Sequence, residues 1–271
     1  MILPLISVVV TTKNEEKNIG NCLKSIQQQT YKNIEIIVVD NNSTDGTKNA
    51  SKVYTTKVFN FGPERSAQRN YGIKKAKGIY ILYLDADMIL SKDVLKHCIK
   101  QMQFDSDLIA LYISEIIMGE SFWCKVRRFE RSFYDGTVID CVRFVSKKAF
   151  DAVGGFDETM SGPEDWDFDK KIRQLGKTAL IKTSIYHNEQ NFNLLKYLTK
   201  KRYYMKSFDA YVNKWGSEDA DIKKQLGISY RYVRVFTENG KWKKLLLHPV
   251  LTVGMYFLKG LVGIIYLLKN K

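Results

Sequence analysis

The chain has 271 residues, enough for one large α/β domain with its own core, or for one domain plus a short appendage. Apolar residues make up 45% and charged residues 27%, a balance that excludes intrinsic disorder. With 43 Lys and Arg against 29 Asp and Glu the formal net charge is +14, which suits nucleic acid, an anionic membrane or a phosphate-bearing small molecule, or only a solvated surface.

The four cysteines, Cys22, Cys98, Cys124 and Cys141, form no CxxC pair, so neither a zinc site nor a redox motif is expected, and a reduced setting follows. The start of the chain lacks a basic segment and a small-residue cleavage site, so no signal peptide is expected. Short β-branched runs then alternate with polar, helix-length segments. The runs are residues 5–12, 34–40, 52–59 (weaker) and 78–85, and the helical segments are 15–29, 44–52 and 66–77. Nearly continuous apolar runs suit parallel strands covered on both faces, so the first half predicts right-handed βαβ units in an open, twisted sheet. Beyond residue 105 come an apolar stretch at 108–117, an aromatic and basic segment at 122–134 and a strand-like run at 137–145. A turn at Gly154-Gly155, a helix at 164–175 and a strand at 179–187 follow. There are no repeats, and four prolines without a Gly/Ser linker argue against loosely tethered domains.

Ligands bind beyond the carboxyl ends of the strands in such sheets. Strand one ends in Thr11-Thr12-Lys13-Asn14-Glu15, strand two in Asp40-Asn41-Asn42-Ser43 and strand four in Asp85-Ala86-Asp87, so polar and acidic groups converge on one edge. Asp85 and Asp87, two residues apart, suit one hard divalent cation bridged to a diphosphate, though an Asp-x-Asp turn is also common as plain structure. Asp40 suits a base imide or a ribose hydroxyl, or else caps the next helix. Arg65 and Arg69 at a helix start suit phosphate or base oxygens, or surface ion pairs. Glu164 and Asp165 can divide the work of deprotonating and orienting an incoming hydroxyl, or simply favour a first helical turn. His187, at a strand end, suits a metal shell or a structural role.

Taken together, SVVVTTKNEEKNIGNCLKSI, IEIIVVDNNSTDGT, RSAQRNYGIKKAKGIYILYLDADM and FDETMSGPEDWDFDKKIRQLG, in that order across residues 6–190, resemble the family 2 glycosyltransferases. The resemblance implies a GT-A fold, a mainly parallel Rossmann-like sheet flanked by helices, and an inverting sugar transfer from a nucleotide-diphosphate sugar. By it, Thr11, Glu15, Asp40 and Arg65 line the nucleotide pocket and Asp85 and Asp87 form the DXD motif, with Asp87 the firmer ligand for Mn²⁺ or Mg²⁺. It also makes Asp165 the general base, Glu164 its neighbour at the acceptor, and His187 a further metal ligand. The donor implied is a UDP- or GDP-sugar.

The organisation expected is a catalytic domain at 1–190, with a nucleotide half at 1–105 and an acceptor half at 106–190, then a helical membrane-association region at 191–271. Residues 192–214 mix Leu, Tyr and Phe with Lys and Arg, as in a helix lying in an anionic headgroup layer. Residues 245–268 are apolar over a membrane-length span but carry His248, Pro249 and Lys259. A charge near a bilayer centre costs roughly 2.5–3.5 kcal/mol, so an interfacial or re-entrant segment broken near Pro249 is favoured over a simple span. Lys241, Lys243, Lys244, Lys269 and Lys271 flank it. A buried helix pair of a soluble core is the competing expectation. The resulting picture is a peripheral or monotopic enzyme on the cytoplasmic face of the membrane. By analogy with similar family members its acceptor is lipid-linked, a polyprenyl phosphate or glycolipid. No nucleic-acid recognition motif is present, so no nucleic-acid partner is expected. A catalytically silent sugar-nucleotide or lipid-binding protein on the same scaffold is the alternative.

Overall fold

The computed structural model describes residues 3–269; Lys271 and the side chain of Lys269 lie outside the described part. The chain folds as two compact units, one made of Met1–Glu115, Cys141–Glu158 and Glu164–Asn188, the other of Ile116–Asp140, Thr159–Pro163 and Glu189–Lys271.

The first unit is built on the alternation read from the sequence: β1 (Ile6–Thr12), α1 (Glu16–Gln27), β2 (Ile34–Asp40), α2 (Thr47–Lys52), β3 (Val58–Asn60), α3 (Arg65–Lys75) and β4 (Tyr80–Asp85). Then follow β5 (Met88–Leu90), α4 (Val94–Phe104) and β6 (Leu108–Met118). The second unit's α5 (Phe122–Arg131) precedes β7 (Phe144–Ser146), α6 (Lys147–Ala152), α7 (Glu164–Leu175) and β8 (Lys177–Asn188). The strands make one eight-stranded sheet in the order β3-β2-β1-β4-β7-β6-β8-β5. The first four are mutually parallel, while β7 runs antiparallel to β4 and β6, and β5 antiparallel to β8.

Every residue of β1 is buried because both faces are covered. Val8 and Val10 join a cluster with Ile19, Leu23 and Ile26 of α1, while Val9 points the other way, to Ile37, Val39 and Ile73. α3 lies close on that second face because of Gly72, where a Cβ would come 2.5 Å from Val9 Cγ1 and 2.9 Å from Val39 Cγ2.

Two strand expectations shrink. The 52–59 run keeps only its end as β3, since α2 continues through Lys52 and Thr55 Oγ1 bonds Ile36 O at 2.8 Å. The 137–145 run yields strand only from Phe144. Gly136 takes a φ of +67°, and Asp140 folds back to accept from Gly136 N at 2.9 Å and Arg131 Nη2 at 2.6 Å, so a local turn outcompetes the ladder.

The second unit is helical: besides α5 it holds α8 (Leu194–Met205), α9 (Phe208–Trp215), α10 (Ala220–Leu226), α11 (Val235–Thr237), α12 (Trp242–Leu247) and α13 (Pro249–Lys269). Its core is Val126, Phe129 and Phe133 against Val235, Phe236, Met255 and Leu258. The break expected near Pro249 falls at His248 (φ −130°, ψ 61°), with proline in the first position of the next helix, where its missing N–H costs nothing. Pro249–Leu268 is long and apolar enough to cross a membrane, with a mean hydropathy of 1.8, and 22% of it is buried.

Candidate active site

Parallel register sets the carboxyl ends of three strands side by side: Thr12 pairs with Asp40 across β1 and β2, and Thr11 with Asp85 across β1 and β4. At this edge the Thr11 hydroxyl donates to Asp85 Oδ1 at 3.1 Å. The first turn of α3 comes alongside because Gln68 Nε2 donates to carbonyls at the ends of two strands, Thr12 O, the last of β1, at 3.0 Å and Val39 O, the last but one of β2, at 2.7 Å.

Arg65 and Arg69, four apart on one face of α3, meet the acids here. Arg69 is fully buried and bridges Asp165 Oδ1 at 2.7 Å and Asp85 Oδ1 at 3.1 Å, its guanidinium lying 4.9 Å from the Tyr83 ring centroid and 5.1 Å from that of Phe156. Arg65 reaches Glu164 Oε1 at 3.1 Å and Asp85 Oδ2 at 3.5 Å. Residues 80 positions apart in sequence thus share one ion-pair network, in which Asp85, Glu164 and Asp165 surround two guanidinium groups. Burial opposes the charge of Arg69, yet Asp165 and Asp85 outweigh it and hold the guanidinium above its ordinary range. Burial likewise opposes ionisation of Asp85, but Arg69 and then Arg65 keep its carboxyl well below the usual carboxylate range. Glu164 moves the other way, raised by burial and by the neighbouring charge of Asp165. Asp165 keeps its side chain 20% exposed; Oδ1 is held by Arg69, while Oδ2 makes no hydrogen bond among the described residues.

Asp87 turns to a second group of residues. β5 pairs with β8 so that Met88 lies opposite His187, and Asn188 N donates to Asp87 O at 2.9 Å. His187 stands between two carboxylates, Nε2 at 3.1 Å from Asp87 Oδ2 and Nδ1 at 2.9 Å from Glu115 Oε1. Burial alone would favour the neutral ring, but Asp87 and Glu115 hold it protonated well above its ordinary value. Arg143 backs Glu115 at 3.6 Å. Asp87 Oδ1 is buried and has no hydrogen-bond partner among the described residues. No group of three or more His, Cys, Asp and Glu side chains with metal-ligand geometry occurs among the described residues. The pair Asp87 and His187 still fits a hard divalent cation, since Mg²⁺ and Mn²⁺ are commonly held by one or two protein ligands with phosphates completing the shell, and the orphaned Oδ1 is an unused acceptor.

Asp40 and Glu15 organise the neighbouring loops. Asp40 is fully buried and accepts from Ser43 N at 2.8 Å and Ser43 Oγ at 2.5 Å, with Lys48 Nζ 3.4 Å away. Glu15 N donates to Thr47 Oγ1 at 2.8 Å, and Glu15 Oε2 accepts from Asn18 at 2.6 Å. Asn14 and Asn42 take left-handed φ values of 53° and 51°, and Thr44 N bonds Asn14 Oδ1 at 2.9 Å, so the two strand-end loops brace each other.

Thus Asp85, Glu164, Asp165 and Arg65 come together, Asp87 and His187 come together beside them, and Thr11 joins the first group; Asp40 and Glu15 line the adjoining loops. Reading of the sequence missed Glu115 and Arg143, which no spacing relates to His187. It also took Arg69 for a phosphate or surface arginine, whereas it lies beneath the carboxylates. The only local signal was its four-residue offset from Arg65.

The model of the family described as "Glycosyl transferase family 2" matches residues 7–156. An uncharacterized glycosyltransferase of Rickettsia typhi is 27% identical over 212 residues, 70% of this chain and 66% of that protein. The glycosyltransferase GlyG of Streptococcus pneumoniae is 37% identical over 114 residues, 39% of this chain and 38% of the relative. The chain therefore covers less than two thirds of these relatives' lengths. Among solved structures, a mannosyltransferase from Pyrobaculum calidifontis in complex with GDP-Man and Mn²⁺ superposes with a TM-score of 0.66 at 18% identity, covering 99% of this chain and 88% of that one. S. aureus TarS in complex with UDP-GlcNAc superposes with a TM-score of 0.58 at 19% identity, covering 92% and 79%. At such identities the likeness is one of fold.

Proposed function

The chain belongs to glycosyl transferase family 2 and has a GT-A fold, and from that premise we propose that it moves a sugar from a nucleotide-diphosphate sugar to an acceptor hydroxyl or phosphate with inversion, at a membrane surface. One observation carries the reading: Asp165, placed 80 residues after Asp85, is joined to it through the buried guanidinium of Arg69. In this reading Thr11, Glu15, Asp40 and Arg65 line the nucleotide pocket. Arg69 fixes Asp165 Oδ1, leaving Oδ2 to accept the proton of an incoming hydroxyl as its oxygen attacks the anomeric carbon. Glu164, made less acidic by its burial, orients the acceptor beside it. Asp87 and His187 would hold Mn²⁺ or Mg²⁺, the cation replacing the proton on His187 Nε2, while Glu115, bonded to the far nitrogen, sets the ring's orientation. A cation bound there would supply charge neutralisation for the departing nucleoside diphosphate.

Membrane action is supported by the second unit. Val250, Val253, Phe257, Ile264 and Leu268 are each at least half exposed and recur along one side of α13, while Lys259 turns inward, 5% exposed. The charge that argued against a bilayer span is thus withdrawn from the apolar face, which suits a helix lying in the interface. A lipid-linked acceptor follows as part of the same proposal.

The decisive test is Asp165→Asn. Transfer should fall by about 10²–10⁴-fold, while the rise in thermal midpoint with UDP- or GDP-sugars and Mn²⁺ is retained. Loss of that rise together with activity would reassign Asp165 to donor binding.

A further inference from the structure

Asp165 is the second residue of α7 and lies inside its first turn, where backbone N–H groups have no carbonyl partner within the helix. Its placement therefore depends on what holds the chain entering the helix. Arg69 fixes the carboxylate itself. The entry segment, Thr159–Pro163, belongs with the helical unit, and there two residues at the joint of α8 and α9 hold it.

Ser207 makes the first contact: Ser161 N donates to Ser207 Oγ at 3.0 Å. Ser207 stands at the N-cap of α9, where a serine oxygen ordinarily accepts from the first N–H groups of its own helix. It makes no such capping bond, because its φ of −96° and ψ of 4° lie outside the extended conformation that capping uses. The oxygen goes to the loop instead, and α9 forgoes its cap. Gly162 makes the second contact. A Cβ there would come 2.5 Å from Tyr204 Cβ and 2.8 Å from Tyr204 Cα, and its φ of +106° is one that side chains rarely adopt. The loop thus lies directly on α8. Met160, just before these two, is only 2% exposed. Pro163, whose ring fixes φ, leaves little slack between the anchored residues and Glu164-Asp165.

We propose that Ser207 and Tyr204 are positioning residues for the reaction. Acting through Ser161 and Gly162, they fix the entry to α7 and thereby where Asp165 Oδ2 meets the acceptor hydroxyl. A base has to lie within hydrogen-bond reach of the proton it takes, and a misplacement of about 1 Å costs on the order of a hundredfold in rate. The inference rests on the reading of Asp165 as the base.

The test follows release of UDP or GDP from a nucleotide sugar chosen by its thermal shift with Mn²⁺, with water as the acceptor. Ser207→Ala should lower kcat by about tenfold or more, with donor KM within about twofold and the donor-induced rise in thermal midpoint retained. Ser207→Thr, which keeps the oxygen, should restore kcat. Gly162→Ala, which pushes the loop off α8 without touching Ser207, should show the same split between kcat and KM. Ser207→Ala is then placed on Asp165→Asn, where it should cost no more than about twofold further, since the carboxylate it positions is gone. A full second loss on that background, or an unchanged kcat in Ser207→Ala itself, would overturn the positioning role and leave Asp165 as the base. So would a fall in kcat that only matches the fraction of unfolded chain. Undiminished release by Asp165→Asn would sink the base reading, and this inference with it.

Discussion

At the level of single residues, Arg69 carries more of the site than any carboxylate it touches. It is fully buried, so removing its charge strips Asp165 Oδ1 of its ion-pair partner and leaves Asp85 only the longer 3.5 Å ion pair with Arg65. Arg69→Met should destabilise the fold by about 3–5 kcal/mol, as breaking buried pairs generally does. Arg69→Lys is the informative variant: a point charge keeps compensation but cannot donate in two directions at once. Its thermal midpoint should stay near that of the unaltered chain while kcat drops by at least about tenfold and KM for donor changes little; equal loss in both would mean that Arg69 serves donor binding. Glu130 makes a second prediction, with the sign set by its depressed value: burial would raise it, but Arg127 and Lys259 hold it down. A carboxylate held at about 2 against an ordinary 4.5 contributes stability that is complete above about pH 4.5 and drains away as pH falls through about 2. The shift corresponds to about 3 kcal/mol. In urea unfolding, the stability difference between the unaltered chain and Glu130→Gln should shrink by roughly that amount between about pH 6 and about pH 2.

Secondary elements show which parts of this arrangement are legible in a sequence. The helix α3 packs directly on β1 and β2 because Gly72 offers no Cβ, and Val9 and Val39, which would be struck, are wholly buried. Gly72→Ala should therefore cost about 1–3 kcal/mol in urea unfolding, with no change in activity per folded molecule beyond the loss of stability. The same element explains why β1, β2 and β4 were readable: strands covered on both faces become continuous apolar runs, and their ends announce themselves as abrupt acids, Asp40 and Asp85. α7 was readable too, since its acidic first turn follows a Gly-Pro. β5, three residues long and antiparallel to β8, has no such signature, although it is what brings His187 to Asp87. Glu115 lies inside an apolar strand, and only its position across from His187 gives it a task. Long-range antiparallel pairing leaves no periodic trace in the chain, so that half of the site emerges only when folded.

Across the whole molecule, charge and exposed apolar surface are unevenly distributed. Residues 189–271 hold sixteen Lys and Arg against six Asp and Glu, ten of the fourteen net positive charges. That stretch also includes Leu246, Leu247, Val250 and Val253, each about two thirds exposed or more. A nucleic-acid surface has no use for such aliphatic side chains, and a soluble core would cover them; an anionic membrane interface uses both features. Because Lys259 is tied into the core of its own unit, insertion across a bilayer would require breaking its contacts with Glu130 and Tyr134. The chain should therefore bind anionic vesicles and be released by high salt or an alkaline wash without detergent, since the attraction of exposed lysines is screened within a Debye length. Val250→Ser with Val253→Ser changes two side chains that are 67% and 70% exposed, so folding should be little affected. Transfer energies of roughly 1 kcal/mol for each side chain then predict a fall in vesicle partition of about tenfold or more, read by sedimentation at low salt. Unchanged partition in that variant would assign the row to a protein partner, and retention after the alkaline wash would mean that α13 crosses the bilayer.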